Sequence, residues 1–209
     1  MMPSSVSRLN TNTWNRIRYT AWAPFYDAFT GAFDRHRRHS LAQLGLSPAE
    51  RVLLIGAGTG ADLRYLPPGV TAVATDLTPA MLARARRHPA PGIHFAIMDG
   101  HRLAARSESF DAVVLHLILA VIPDPVRCLQ EAARVLRPQG RIVVFDKFVR
   151  TRPSMGLRLV NVVASVLFTE VTRRFEDILA AADAPLKVER DEPAALRGLF
   201  RYIVLREVS

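Results

Sequence analysis

Cysteine is nearly absent: Cys128 stands alone among 209 residues. No internal disulfide can form, which fits a reducing, cytoplasmic setting. Long apolar runs are missing too. None reaches the roughly 20 residues that cross a bilayer, although apolar residues make up 49% of the chain. The opening MMPSSVSRLN lacks the apolar stretch of a secretory leader. Internal repeats and low-complexity linkers are also lacking. Lysine is scarce, two residues among 28 basic ones, and acids number only 19, for a formal net charge of +9.

The basic excess is not a tail. Residues 1–50 carry six Arg against three acids, 51–150 thirteen basic residues against eight acids, and 151–209 nine against eight. Such a surface favours anionic partners, or it is a solvated Arg-rich exterior. Basic and aromatic residues do not interleave, which argues against nucleic acid.

From Arg51 onward, strand-like and helix-like stretches alternate. Strands are expected at 51–55, 70–75, 93–97, 110–115 and 141–148. Helices are expected at 60–66, 79–87, 125–136 and 172–182, and a turn at Pro138-Gln139-Gly140. Two closing strands, 186–190 and 201–208, form a hairpin-like pair at a sheet edge. Strict alternation argues for an α/β fold, a parallel sheet covered on both faces. Before it, Trp14, Ile17, Ala21, Trp22 and Phe25 share one helical face. A second helix is expected over 34–44. Residues 1–50 therefore read as an N-terminal helical cap on a domain of 51–209.

The stretch VLLIGAGTGADL, residues 52–63, runs from a strand into a glycine-rich turn. It fits G-x-G-x-x-(G/A) through Gly56, Gly58 and Ala61, and G-x-G-x-G through Gly56, Gly58 and Gly60. Glycines there let backbone approach an adenosine cofactor. Asp76, near the spacing expected of a ribose-binding acid, follows at the next strand end; its other reading is an acid at a helix start. A dinucleotide enzyme needs a second substrate region, and little chain follows residue 150. Met98-Asp99-Gly100 places a further acid at the sheet edge, suited to an adenine amino group.

With these features together, the sequence resembles the class I S-adenosylmethionine-dependent methyltransferases. VLLIGAGTG, VATDLTPAMLARAR, FAIMDGHRL, FDAVVLHLILAVIPDP and CLQEAARVLRPQGRIVVFD are similar to successive family motifs, in order. The resemblance implies a Rossmann-like, doubly wound seven-stranded sheet with its last strand antiparallel. It also implies S-adenosylmethionine as cofactor, held by Gly56, Ala57, Gly58, Thr59, Asp76, Leu77, Asp99 and Gly100. The family usually has an acid where Leu54 stands; Asp62 either substitutes for it or is a first-turn helix acid.

His116 follows the fourth strand, where the family lines the pocket near the methyl group. It is either a general base or a wall residue that also touches the cofactor. His101 lies by the adenine site or in solvent. The amine-methylating Asn-Pro-Pro-Tyr signature is absent. RYTAWAPFYD resembles the A-x-x-Y-D region of quinone C-methyltransferases and bacterial phosphatidylethanolamine N-methyltransferases. That likeness implies Tyr19 as a cofactor contact and Tyr26 as a catalytic or headgroup contact; the alternative is aromatic packing in the cap. The apolar insert at about 153–170, flanked by Arg, is either a lid for a greasy substrate or a buried helix. The expected partner is a lipid or small apolar substrate, acted on by a peripheral enzyme at the inner, anionic membrane face. Two alternatives stand beside it: a soluble C- or O-methyltransferase of a quinone or small metabolite, and a non-catalytic binding module.

Overall fold

A computed structural model describes residues 11–13, 16, 20, 31–87, 91–149 and 172–208, except the side chain of residue 197. Helix α1 spans Asp34–Ala42, with Asp34 in its first turn to oppose the helix dipole. Strands β1 (Arg51–Ile55) and β2 (Thr71–Asp76) follow, separated by a single 3-10 turn at Leu63–Tyr65. Helix α2 (Pro79–Ala85) leads to β3 (Ile93–Ile97), then β4 (Phe110–His116). Helix α3 (Pro125–Val135) precedes β5 (Leu136–Lys147), and α4 (Phe175–Ala182) precedes β6 (Leu186–Pro193) and β7 (Phe200–Glu207).

The sheet order is β3-β2-β1-β4-β5-β7-β6. Strands β1 to β5 run parallel, and β7 lies antiparallel between β5 and β6. This is the expected Rossmann-like sheet with one reversed strand. Residues of β1 alternate between two cores. Leu53 and Ile55 join Val113, Leu129 and Ile178 on the side of α3 and α4. Val52 and Leu54 join Leu41, Leu44 and Leu63 on the side of α1. Each fully buried side chain of this size contributes about 1.5–3 kcal/mol, so both layers are needed to hold the strand ends in place.

Two local expectations change. No helix runs over 60–66; the chain makes one 3-10 turn, and Leu66 is extended (φ −69°, ψ 134°) ahead of Pro67. A residue before proline is biased away from helical geometry. The Pro138–Gly140 turn is absorbed into β5 as a bulge, with Gln139 at φ +60°. Pairing passes from Phe110↔Leu136 to Ala112↔Arg141, so β5 gains extra residues against β4. Helix α3 forms as its sequence suggests: Pro125 occupies the first turn and Asp124 Oδ1 accepts from Arg127 N at 2.9 Å.

Candidate active site

Strand order reverses direction between β1 and β4, and their carboxyl ends flank a crevice there. In open α/β sheets this switch point is where ligands bind. The loop leaving β1 supplies Gly56, Ala57, Gly58, Thr59 and Gly60. Gly56 (φ +72°), Gly58 (φ +57°) and Gly60 (φ +83°) all lie in the left-handed region. A Cβ on Gly56 would stand 2.8 Å from Ile118 Cδ1. Glycine is thus required there by conformation and by space. The loop is pinned to β2 by Ala57 N donating to Thr75 O at 2.8 Å.

Asp76 ends β2. Its Oδ2 accepts from Gly58 N at 2.9 Å and its Oδ1 from Thr78 N at 2.8 Å. It therefore spans both readings, joining the glycine loop to the first turn of α2. Burial pushes its carboxyl upward, partly offset by those amide donors. Asp99, after β3, accepts from Asn12 Nδ2 at 2.6 Å through Oδ2. Its Oδ1 lies 3.0 Å from His101 N and 2.6 Å from His101 Nδ1. His101 Nε2 accepts from Asp124 N at 3.1 Å, so Nδ1 carries the ring hydrogen and donates to Asp99. His101 is thus a support for Asp99, with its side chain 17% exposed.

Gly56, Leu77, Asp99 and Gly100 meet around one cavity of about 60 Å³, closed by Ile55 and Ile118. A larger hollow of about 550 Å³ lies at the opposite, amino edge of the sheet, between Glu108, Pro138, Asp183 and Glu207. Among the described residues none of the expected site residues lines it, and it lies away from the switch point, so the smaller cavity is the candidate site.

His116 closes β4 and is buried. Its Nδ1 lies 2.8 Å from Asp62 Oδ1, and its Nε2 lies 2.9 Å from Ser40 Oγ. A carboxylate only accepts, so in the neutral ring Nδ1–H donates to Asp62 and Ser40 donates to Nε2. Arg37 Nη1 donates to Asp62 Oδ2 at 2.7 Å. Burial raises the Asp62 carboxyl, but the charges and hydrogen bonds of His116 and Arg37 outweigh it and hold it well below the usual carboxylate range. Both Asp62 oxygens are engaged within the protein. Leu54 is buried in the apolar cluster with Leu41, Ala57 and Leu63.

An aromatic wall adjoins His116. Phe145 meets its ring edge-on at 5.8 Å, and His36 stacks on Phe145 at 5.7 Å. Tyr202 Oη lies 2.5 Å from His36 Nδ1. Asp146, fully buried beyond Phe145, accepts from Ala120 N at 2.9 Å and so anchors the segment carrying Ile118. Burial raises its carboxyl, opposed by Lys147. Sequence reasoning missed Arg37, Ser40, His36, Phe145 and Tyr202. Their only signal was polar residues on the inner side of an amphipathic helix, and a sheet register that no local pattern reveals. Tyr19, Tyr26, Trp14, Trp22 and the insert at about 153–170 lie outside the described residues.

The residues present fit the implied cofactor. The glycine cradle excludes a Cβ at Gly56, and Thr59 Oγ1 is buried in the loop with no hydrogen-bond partner among the described residues. A buried hydroxyl left unpaired is costly, and a ligand acceptor would satisfy it. Comparison with known proteins agrees. Residues 53–144 match the methyltransferase domain family. A phosphatidylethanolamine N-methyltransferase of Cereibacter sphaeroides is 30% identical over 200 residues, covering 88% of this chain and 93% of that protein. A demethylmenaquinone methyltransferase of a Mycobacterium species is 39% identical over 111 residues, 53% of this chain and 47% of the relative. The solved complex of the Haloferax volcanii Trm112 methyltransferase activator with a methyltransferase contains a chain of the same fold (TM-score 0.75, 20% identity, 91% of this chain and 98% of that one). On the glycine loop, the sheet order and the near full-length relative together, the chain belongs to the class I S-adenosylmethionine-dependent methyltransferases.

Proposed function

We propose that this methyltransferase N-methylates an amphipathic amine lipid, most concretely phosphatidylethanolamine, at an anionic membrane surface. The observation that carries this reading is the likeness to a phosphatidylethanolamine N-methyltransferase across almost the whole of both chains. When bound, S-adenosylmethionine supplies an electrophilic methyl group; the chain's own residues orient and exclude water. An amine nucleophile needs only to be neutral when it attacks, whereas a carbon acid or phenol needs a base. Both nitrogens of His116 are engaged by Asp62 and Ser40, which supports a wall role for it and favours the amine. Arg35, Arg38 and Arg64 stand exposed on α1 and on the turn that follows the glycine loop, with Asp34 3.5 Å from Arg64. Each such residue near an anionic surface contributes about 1 kcal/mol of attraction. Among the described residues no helix is long and apolar enough to cross a membrane, so the binding proposed is peripheral.

The test incubates the protein with methyl-labelled cofactor and anionic liposomes containing phosphatidylethanolamine. Label is expected in the lipid fraction. Label in an added demethylated quinone, with none in lipid, would reverse the assignment in favour of the second reading, quinone C-methylation, which the demethylmenaquinone methyltransferase likeness supports. His116→Ala separates the two further. If His116 is a base for a quinone, turnover falls about 10²–10⁴-fold; on the lipid amine the loss stays near ten-fold or less.

We also assign the ribose contact to Asp76. Asp76→Ala is expected to weaken S-adenosylhomocysteine binding at least about ten-fold, since it removes both a ligand acceptor and the tie to Gly58 N. Calorimetry reads this directly; unchanged affinity would leave Asp76 as a helix-start acid alone.

A further inference from the structure

Four buried polar side chains form an open hydrogen-bonded series, of which the methyl-transfer reading gives work only to His116, as a wall residue. Arg37 and Ser40 come from one face of α1, three residues apart. Asp62 comes from the exit of the glycine loop, and His116 from the end of β4. Exposure is 4% for Arg37, 0% for Ser40, 3% for Asp62 and 4% for His116. The contacts run Arg37–Asp62 at 2.7 Å, Asp62–His116 at 2.8 Å and His116–Ser40 at 2.9 Å. Two of the four, Arg37 and Ser40, precede the stretch that matches the methyltransferase domain, 53–144.

Serine, histidine and aspartate in this order also make an acyl-transfer nucleophile. Ser40 has no exposed surface, so no carbonyl carbon reaches Oγ, and that chemistry is set aside. The position of the series says more. The glycine loop contains three residues at positive φ and is intrinsically free. Its entrance is tied to β2 through Ala57 and Gly58. Its exit is tied by Asp62, whose two oxygens go to α1 and to β4.

We propose that Arg37 and Ser40 are positioning residues for the cofactor. By clamping the Asp62–His116 pair from α1, they fix the exit of the glycine loop against the end of β4. Helix α1 thereby belongs functionally to the cofactor site although it lies outside the domain that builds the sheet. A loop held in its binding shape loses less freedom when ligand arrives, so the clamp appears as affinity. This inference does not depend on which substrate accepts the methyl group.

The test compares Ser40→Ala and Arg37→Lys with Leu41→Ala, measuring the Kd for S-adenosylhomocysteine by calorimetry and the melting temperature of each protein. Leu41 neighbours Ser40 on α1 and is buried in the apolar cluster, so its truncation loosens α1 without touching Asp62 or His116. Ser40→Ala is expected to raise Kd about ten-fold, the scale of one lost buried hydrogen bond. Arg37→Lys keeps the charge and therefore the fold, and is expected to raise Kd by a smaller factor, about three-fold. In steady-state assays the rise in KM for S-adenosylmethionine exceeds the fall in kcat, the pattern of lost binding. Leu41→Ala lowers the melting temperature with Kd near that of the parent. Parental affinity in both Ser40→Ala and Arg37→Lys would overturn the proposal. So would an equal loss in Leu41→Ala, because the effect would then be general loosening of α1. If Ser40→Ala does not fold, Arg37→Lys against Leu41→Ala decides alone.

Discussion

Gly56→Val is expected to remove measurable S-adenosylhomocysteine binding while the protein stays folded. Gly56 sits at φ +72°, a region where a β-branched residue is strained by about 1–3 kcal/mol. Space is also lacking. A Cβ would lie 2.8 Å from Ile118 Cδ1, 3.1 Å from its Cγ1 and 3.3 Å from its Cβ, so the whole Ile118 side chain must move. That chain forms part of the small cavity at the switch point. Adding two methyl groups to Cβ worsens the clash and fills the space the cofactor would enter. The fully buried members of the apolar clusters on either side of β1 are not met by the new side chain, because Gly56 lies beyond the last residue of the strand; Ile118 packs only against the margin of one cluster. Affinity is therefore expected to fall by more than about 100-fold, the equivalent of roughly 2.7 kcal/mol. Calorimetry measures the affinity and circular dichroism the fold. A folded variant whose Kd lies within ten-fold of the parent would sink this account of the loop.

The second large effect concerns the buried charges. Arg37→Met leaves the Asp62 carboxylate without its 2.7 Å partner in a site where both side chains are 5% exposed. Breaking a buried pair by removing one member costs about 3–5 kcal/mol. For a chain of this size each kcal/mol moves Tm by about 2–4 °C, so a fall of roughly 6–20 °C is expected. The double variant Arg37→Met/Asp62→Leu removes both charges of the pair and leaves His116 Nδ1 without its Asp62 partner, at about 1–3 kcal/mol. It is expected to be more stable than Arg37→Met alone. If the double variant melts at or below the single one, the charge argument fails.

The same pair has an acid signature. Asp62 is held below its unfolded value, so the unfolded chain binds the proton first as pH falls. The stability it contributes is present at neutral pH, above the unfolded carboxylate value near 3.9, and is lost below it. Arg37→Met/Asp62→Leu is expected to lose less stability between pH 5 and pH 3 than the parent does, as pH-dependent melting curves would register. An unchanged acid dependence would assign acid unfolding to other carboxylates.

How far the site could be foreseen depends on which residues are considered. Gly56, Gly58 and Gly60 were legible because positive φ demands glycine, and that demand is local. Asp76 and Asp99 were legible because each directly ends or follows a strand whose length the apolar run defines. Helix α3 was legible from the one-sided spacing of Leu129, Ala132, Ala133 and Leu136; its Asp124 cap came only with the structure. The 60–66 stretch was misread because its apolar spacing suits a helix, while Gly60 at φ +83° and the extended residue before Pro67 leave room for one 3-10 turn. Asp62 was visible in the sequence, but its partners were not. Arg37 lies 25 residues away, His116 lies 54 away, and Ser40 is joined to His116 across 76. No periodic pattern encodes such a meeting.

The sequence by itself determined the sheet, its glycine loop and the two acids at its carboxyl edge, because period, turn chemistry and strand length act over a few residues. The tertiary structure alone decided that His116 has both nitrogens engaged, that Asp62 is neutralised from α1, and that β7 slots between β5 and β6. Those outcomes rest on burial. Once water is excluded, each polar group must find a partner from whatever element packs nearby, and which element that is depends on the whole fold.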